Sequence, residues 1–520
     1  MSTPSEPMPD QLEAEVSGRR SARPGLLVGA AAVAALAIGG GAVAVNAMMG
    51  GSGDQPATAM PSTVAAYAQI DIDPSVGQKV AALQFFDGMD NAELEEMRDG
   101  KGREALFDWI SQEEGGSLAE MNYQEDIEPW LGDRAAVGVL PGATADELVP
   151  LFAVQVKDEG AAESFLNEVM DSQDAADEVD FFFRGDYAVF AEPADIEGIK
   201  VALDQGTLAD SDAFAADLEA LGEQGIVSMW ADLPAFQELS NSVNDELSST
   251  LGQAADSTPL MDGQATLEGR MAATVRFDKD AIEFYGQAFD TGAATIEGGD
   301  SAHLISGLPD DTSLAFGIEH GDQYVDQVWT MLQEAYPDDV ATAQEEAEAE
   351  GFTLPDDLKT MLGDSAAFAA GPDIADIDAM DNGEIPSLGY AASTDADAAV
   401  SLVDRLIDYA GEGMSSEEMG ISYGAVGDLF VIASDPAYQQ ALAGDGNLGS
   451  TRDFTLAVPD ADNAAGVAFV SLNDLESLYL DGMGSGQERD MVATMAALGM
   501  QTTSDGEGGG TFSVRLVFDE

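Results

Sequence analysis

Two aspartates at alternate positions, Asp71 and Asp73 in Gln69-Ile70-Asp71-Ile72-Asp73-Pro74, are the residues best spaced for chemistry in this chain. Alternate residues of a strand face the same side. Together the two carboxylates could hold a cation or divide acid and base roles, and they are the metal candidates. The competing reading is structural. Asp73 stands before Pro74 and a run with Val76, Val80 and Leu83 on one face, which suits a helix N-cap with Pro at the first helical position.

Other chemistry is sparse, and no catalytic residue is assigned. Gly363-Asp364-Ser365 has the outline of an esterase turn, but no G-x-S-x-G elbow occurs and the corresponding position earlier in the chain is Arg134. His303 and His320 are the two histidines, and neither belongs to an H-E-x-x-H helix. Asp460-Ala461-Asp462-Asn463 with Gly466 is a fragment of acidity and not a calcium loop. No glycine-rich phosphate cradle follows a strand, so no cofactor is expected. Trp109, Trp130, Trp230 and Trp329 have apolar neighbours and read as core, with ligand lining the other reading for Trp109 and Trp329.

The elements that must position these residues begin with Gly25 to Val45, GLLVGAAAVAALAIGGGAVAV, an uncharged run that follows Arg19, Arg20 and Arg23. A bilayer core of roughly 30 Å needs about 20 apolar residues. Gly25, Leu26, Leu27, Val28, Leu36, Ile38, Val43 and Val45 are the anchoring side chains expected, in a membrane segment spanning 25–49. The arginines keep the N-terminal tail, 1–24, in the cytoplasm and place the remainder outside. Cleavage after Ala42-Val43-Ala44, as for a signal peptide, is the alternative, and Arg19-Arg20 is an incomplete twin-arginine signal. Gly25-x-x-x-Gly29 could pair two such helices into a homodimer. Residues 50–61, GGSGDQPATAMP, have the composition of a flexible stalk.

Charge decides which partners are excluded. The 520-residue chain carries 98 acidic against 19 basic residues, a formal net charge of −79, and no cysteine. Such a surface repels nucleic acid and anionic headgroups alike. Acids scattered through every segment, with six lysines, point to a surface adapted to salty surroundings; a specific cation-binding device is the alternative. The melting temperature is therefore expected to rise between low and molar salt, where the Debye length falls to about 3 Å. Calcium titration in high salt tests the cation alternative through melting and proteolysis.

Beyond the stalk the chain reads as a duplication, 62–295 and 296–520. Val64 to Asp71 matches Thr312 to Glu319, and Leu131-Gly132-Asp133-Arg134-Ala135-Ala136 matches Leu362-Gly363-Asp364-Ser365-Ala366-Ala367. The helical stripe Ala162, Phe165, Leu166, Val169 and Met170 recurs as Ala399, Leu402, Val403, Leu406 and Ile407. Gly185 to Ala191 answers to Gly427 to Ala433, Leu208 and Phe214 to Leu448 and Phe454, and Gly269 to Asp278 to Gly510 to Asp519. Each half then has a strand, two or three helices, a strand pair, a helix, a hairpin, a helix, a strand, a helix and a strand, with a linker near 291–301. Short Gly-Asp hairpins imply antiparallel pairing. The expected fold is α+β: each half a mostly antiparallel sheet with helices covering one face. Asp338 to Glu350 reads as a solvated helix face, and Gly506 to Gly510 as a loop.

Met60 to Phe86, with its strand ending in Asp-x-Asp-Pro and its Gly-Gln-Lys helix, resembles the bacterial family known as domain of unknown function 3352, and the Leu-Gly-Asp landmarks agree. The resemblance implies membrane-attached proteins without an assigned activity, extends over most of the ectodomain, and supplies no catalytic residues. The expected function is binding at the cell envelope, with an envelope protein or small ligand as partner. A carboxylate-based extracytoplasmic hydrolase is the alternative. That enzyme would need two facing carboxyls roughly 5–10 Å apart in a deep cleft, whereas a binding scaffold would show a groove or a flat face.

Overall fold

The computed structural model describes residues 55–519 apart from 72–73, 88–121, 143–147, 173–178, 238–267, 293–301, 411–414, 417–419, 428, 445, 481, 485–488, 490–491 and 505–507. The tail with Arg19, Arg20 and Arg23, the apolar run 25–45, Asp73, Trp109 and most of the linker lie outside the described residues. Among the described residues no helix is long and apolar enough to cross a membrane.

The strands are β1 (Ala66–Asp71), β2 (Leu131–Pro141), β3 (Leu148–Val156), β4 (Asp180–Arg184), β5 (Tyr187–Ala191), β6 (Val227–Asp232), β7 (Arg270–Phe277) and β8 (Ala281–Phe289). They continue as β9 (Leu314–Glu319), β10 (Ser365–Ala370), β11 (Leu388–Ser393), β12 (Ser422–Val426), β13 (Leu429–Ala433), β14 (Gly466–Ser471), β15 (Met495–Ser504) and β16 (Gly510–Phe518). The helices used below are α1 (Val76–Asp87), α2 (Glu159–Ser172), α3 (Ile196–Gln205), α4 (Asp212–Ala220), α5 (Ala302–Ser306), α6 (Gly321–Ala335), α7 (Pro337–Ala349), α8 (Asp356–Leu362), α9 (Ala396–Ala410), α10 (Pro436–Leu442) and α11 (Arg452–Ala457).

All the strands join one antiparallel sheet, in the order β12-β13-β11-β10-β9-β14-β15-β16-β8-β7-β6-β1-β2-β3-β5-β4. From either outer edge inward the order is the same once eight is subtracted from the higher numbers. Gly185 (φ 59°) and Gly427 (φ 64°) take the left-handed conformation at the two outer hairpins, which a side chain would resist. The ladders also fix residue correspondences. Asp71 pairs with Arg134 as Glu319 pairs with Ser365, and Val275 pairs with Phe284 as Thr502 pairs with Phe512. Followed strand by strand, these pairings make Tyr285 and Ser513 counterparts, and the two lie directly opposite each other in the central β8–β16 ladder.

Among the described residues each half contributes eight strands and not the seven of the sequence pattern, β8 and β15 being the additional ones. The match of Gly269–Asp278 with Gly510–Asp519 is corrected accordingly, because β16 occupies the place of β8 and not of β7. Both strings alternate alike, and alternation alone does not distinguish the two arms of a hairpin.

Helices cover both faces of the sheet and not one. On the first face α3 and α4 bury Ile199, Leu203 and Phe214 against Tyr67, Val189 and Trp230, and α10 and α11 bury Leu442 and Phe454 against Val431 and Phe469. On the second face α2 packs Ala162 and Leu166 on Phe152 and Phe190, and α9 packs Ala399 and Val403 on Phe430. Strand β5, buried at all five positions, needs cover from both sides. Leu406, expected on the apolar stripe of α9, is exposed. Helix α7 presents its acids to solvent as the charge run suggested.

The segment read as a stalk ends earlier than its composition implied. Pro56–Ala59 forms a helical turn, and Ala57, Ala59 and Met60 are fully buried in the first core. Small side chains suit close packing as well as they suit a linker.

Candidate functional site

The central part of the second face is apolar and, among the described residues, left without a helix over much of its width. One lateral row runs in register from Phe368 through Phe316, Ala468, Met500, Val514 and Phe284 to Val275. Phe316 is 55% exposed, Met500 43%, Phe368 42% and Leu498 37%. Leaving a large apolar side chain exposed forgoes about 1.5–3 kcal/mol, so exposed residues grouped in this way stand out from the singly scattered apolar residues of an ordinary surface. The same face deepens in the first half into a groove of about 250 Å³ on β1, β2, β6, β7 and β8. At the end of that face, Phe85 of α1 packs against Phe277 and Phe518 at ring separations of 5.3 and 4.9 Å.

A second, polar cavity of about 490 Å³ opens at the end of β1, where Gln69, Asp71, Ser75, Lys79, Arg134 and Glu223 converge. Its carboxylates are already engaged. Asp71 Oδ2 accepts from Arg134 Nε at 2.9 Å with both side chains largely buried, and Ser75 Oγ donates to Glu223. Ser75 also caps α1 by accepting from the Gln78 amide at 3.1 Å. The helix begins at Val76, so the cap expected at Asp73 falls instead on Ser75, two residues later.

The central ladder carries a buried ion cluster. Glu283 on β8 accepts from Arg276 Nε at 2.5 Å and from Ser513 Oγ at 2.8 Å, and lies 3.4 Å from Arg515 of β16. Arg515 reaches Asp278 at 2.6 Å and donates to the Leu456 carbonyl at 2.7 Å. Burial pushes the Glu283 carboxyl up, but the Arg276 hydrogen bond and charge, joined by Ser513 and Arg515, outweigh it and hold the group below the usual glutamate range. Asp278 is lowered in the same way, desolvation being overcome by its Arg515 contact.

The remaining sequence candidates are scattered. Ser365 starts β10 with Glu319 and Ser393 as ladder partners. His320 adopts a left-handed conformation before α6, its amide donating to the Asp364 carbonyl at 2.6 Å, while His303 lies on α5. Asp460 accepts from the Asn463 side chain at 2.8 Å beside a short helical turn that contains Asp462. Trp130 and Trp230 are buried as expected, donating to the Asp126 carbonyl at 2.8 Å and to Asp217 at 2.9 Å. Trp329 is half-buried on α6. No three acidic or histidine side chains gather into a metal-holding group among the described residues. The open face was missed in the sequence, although β9 offered a sign of it: Leu314, Phe316 and Ile318 alternate with Ala315 and Gly317, leaving both faces apolar.

No curated protein and no solved structure matches the chain. Residues 26–185 match the model of the family described as protein of unknown function (DUF3352), so the family resemblance carried by Met60 to Phe86 is supported from the apolar run as far as the β4–β5 turn.

Proposed function

We propose that the chain is a single-pass membrane protein, N-terminus inside, that presents a sheet made from two copies of one ancestral unit, 62–295 and 296–520, and binds partners outside the cell through its apolar second face. That face, with Phe316, Phe368, Leu498 and Met500 exposed and no ionised side chain in its lateral row, is the observation that carries the binding reading. The matching strand order and register support the duplication. The uncharged run 25–45 and the preceding arginines support the orientation.

Two experiments test this. Protease added to intact cells should digest the chain beyond residue 61, and full protection would overturn the topology. Cross-linking of the full chain in its own membranes should capture a partner that is lost in the Phe316→Asp/Phe368→Asp variant; capture undiminished in that variant would overturn the assigned face.

A further inference from the structure

The second half carries larger side chains at three positions that correspond to the lining of the first-half groove. The ladder correspondences place Phe316 where the first half has Ala68, Phe368 where it has Val137, and Met500 where it has Ala273. Across β1, β6 and β7 small and long side chains lie directly opposite one another, Ala68 and Ala273 flanking Met229, and Ala231 beside Met271. The alanines leave depth and the methionines, with Phe284, bound it. Methionine adapts to apolar ligands of irregular shape.

The lining also states what chemistry the groove can recognise. Its backbone polar groups belong to ladders. Among the described lining residues two have polar side chains, Tyr67 and Trp230, and both direct them elsewhere, the Tyr67 hydroxyl donating to Gln69 at 2.7 Å and the Trp230 indole to Asp217 at 2.9 Å. Burial, reinforced by the neighbouring Tyr187, raises the Tyr67 pKa well above the ordinary tyrosine value, so the phenol stays neutral. A peptide strand would bring amide groups that the groove does not match. The overall charge of −79 disfavours an anionic headgroup at the mouth and equally disfavours a second copy of the chain. Deepening the binding reading above, on which it rests, we infer that the groove on β1, β6 and β7 takes one hydrocarbon tail of an electrically neutral membrane lipid.

The test uses the full chain in phosphatidylcholine nanodiscs doped with a monoacylglycerol whose chain carries a diazirine. Photolysis should label peptides containing Ala68, Met229 and Met271, besides the anchor, which serves as an internal control. Ala68→Phe and Ala273→Met install the second half's residues on an open face and should each cut groove labelling by about tenfold or more, anchor labelling being unchanged. Label confined to the anchor overturns the inference, as does groove labelling that survives both substitutions. Oxidation footprinting of the lipid-free chain supplies a separate readout. Met229 and Met271 should be accessible; protection independent of protein concentration would give the groove to another segment of this chain, and concentration-dependent protection would give it to a second copy, either outcome overturning the lipid tail. A partner captured through Phe316 and Phe368 without groove labelling would sink the lipid inference alone.

Discussion

The two halves of the sheet have the same strand order and different interiors. In the first, buried Asp217 of α4 accepts from Trp230 Nε1 at 2.9 Å and from Arg270 at 2.7 and 3.2 Å. The hydrogen bond from Arg270 to Asp217 is the main reason that the arginine pKa is raised. In the second half the corresponding positions are Ala457, Phe469 and Ala497, all fully buried and wholly apolar. The aromatic contact survives the exchange: Phe214 meets Trp230 at 5.8 Å and Phe454 meets Phe469 at 5.3 Å. Likewise the Asp71–Arg134 pair becomes Glu319 and Ser365 at the same register. One topology thus accepts an ionic or an apolar filling, so shape and alternation specify the fold, while the ion pairs are a local choice whose parts depend on one another.

The largest effect should come from breaking that choice halfway. Asp217→Ala leaves Arg270 and the Trp230 indole with a lost partner and should cost about 3–5 kcal/mol in chemical denaturation at molar salt. Replacing the whole trio, Asp217→Ala with Trp230→Phe and Arg270→Ala, should cost less than the single change. A triple variant that is less stable than Asp217→Ala would show that the halves are not interchangeable in this way.

At the seam between the halves, Glu283→Gln should cost about 1.5–3 kcal/mol, the range for hydrogen bonds to charged groups. The sign with pH follows from the depressed carboxyl. Its stabilisation is complete above the unfolded glutamate value of about 4.3 and is lost as pH falls from there through the lower folded value. Acid unfolding of Glu283→Gln should be correspondingly flatter in that window, and an unaltered acid limb would remove Glu283 from the account.

A smaller effect separates two residues at the start of α1. Ser75→Ala should lose about 1 kcal/mol, and Asp73→Asn should leave thermal stability where it was. The reverse ranking would restore the cap to Asp73. Least of all, Asp204→Asn, which removes a surface partner of Arg184, should shift stability by well under 1 kcal/mol. A large loss there would mean that surface pairs weigh more in this acidic chain than in ordinary proteins.

Much of the architecture was legible because it rests on local pattern. The Gly185 and Gly427 turns, the buried strands that follow them and the Leu208–Phe214 spacing are each specified by a few neighbouring residues. The strand β8 was not legible, since Ala281 to Phe289 mixes Glu283 and Gln287 into an otherwise apolar string, and Glu283 is buried only because arginines from two other segments meet it. The Ser75 cap was hidden by a stronger-looking Asp-Pro pair one step upstream. The groove was invisible for a different reason. Ala66, Ala68, Ala231 and Ala273 are unremarkable one at a time, and their meaning lies in the larger residues that the second half carries at matching places.

The Tyr285–Ser513 pairing sits within eight consecutive register pairs between β8 and β16. A hinge at this seam would have to break that ladder and expose the Glu283 cluster together, so the halves cannot swing as separate lobes. Amide exchange should consequently slow toward the middle of the sheet, with β8 and β16 opening only when the whole plate melts. A ligand held on one half would then be felt on the other as added rigidity, without any change in the angle between them.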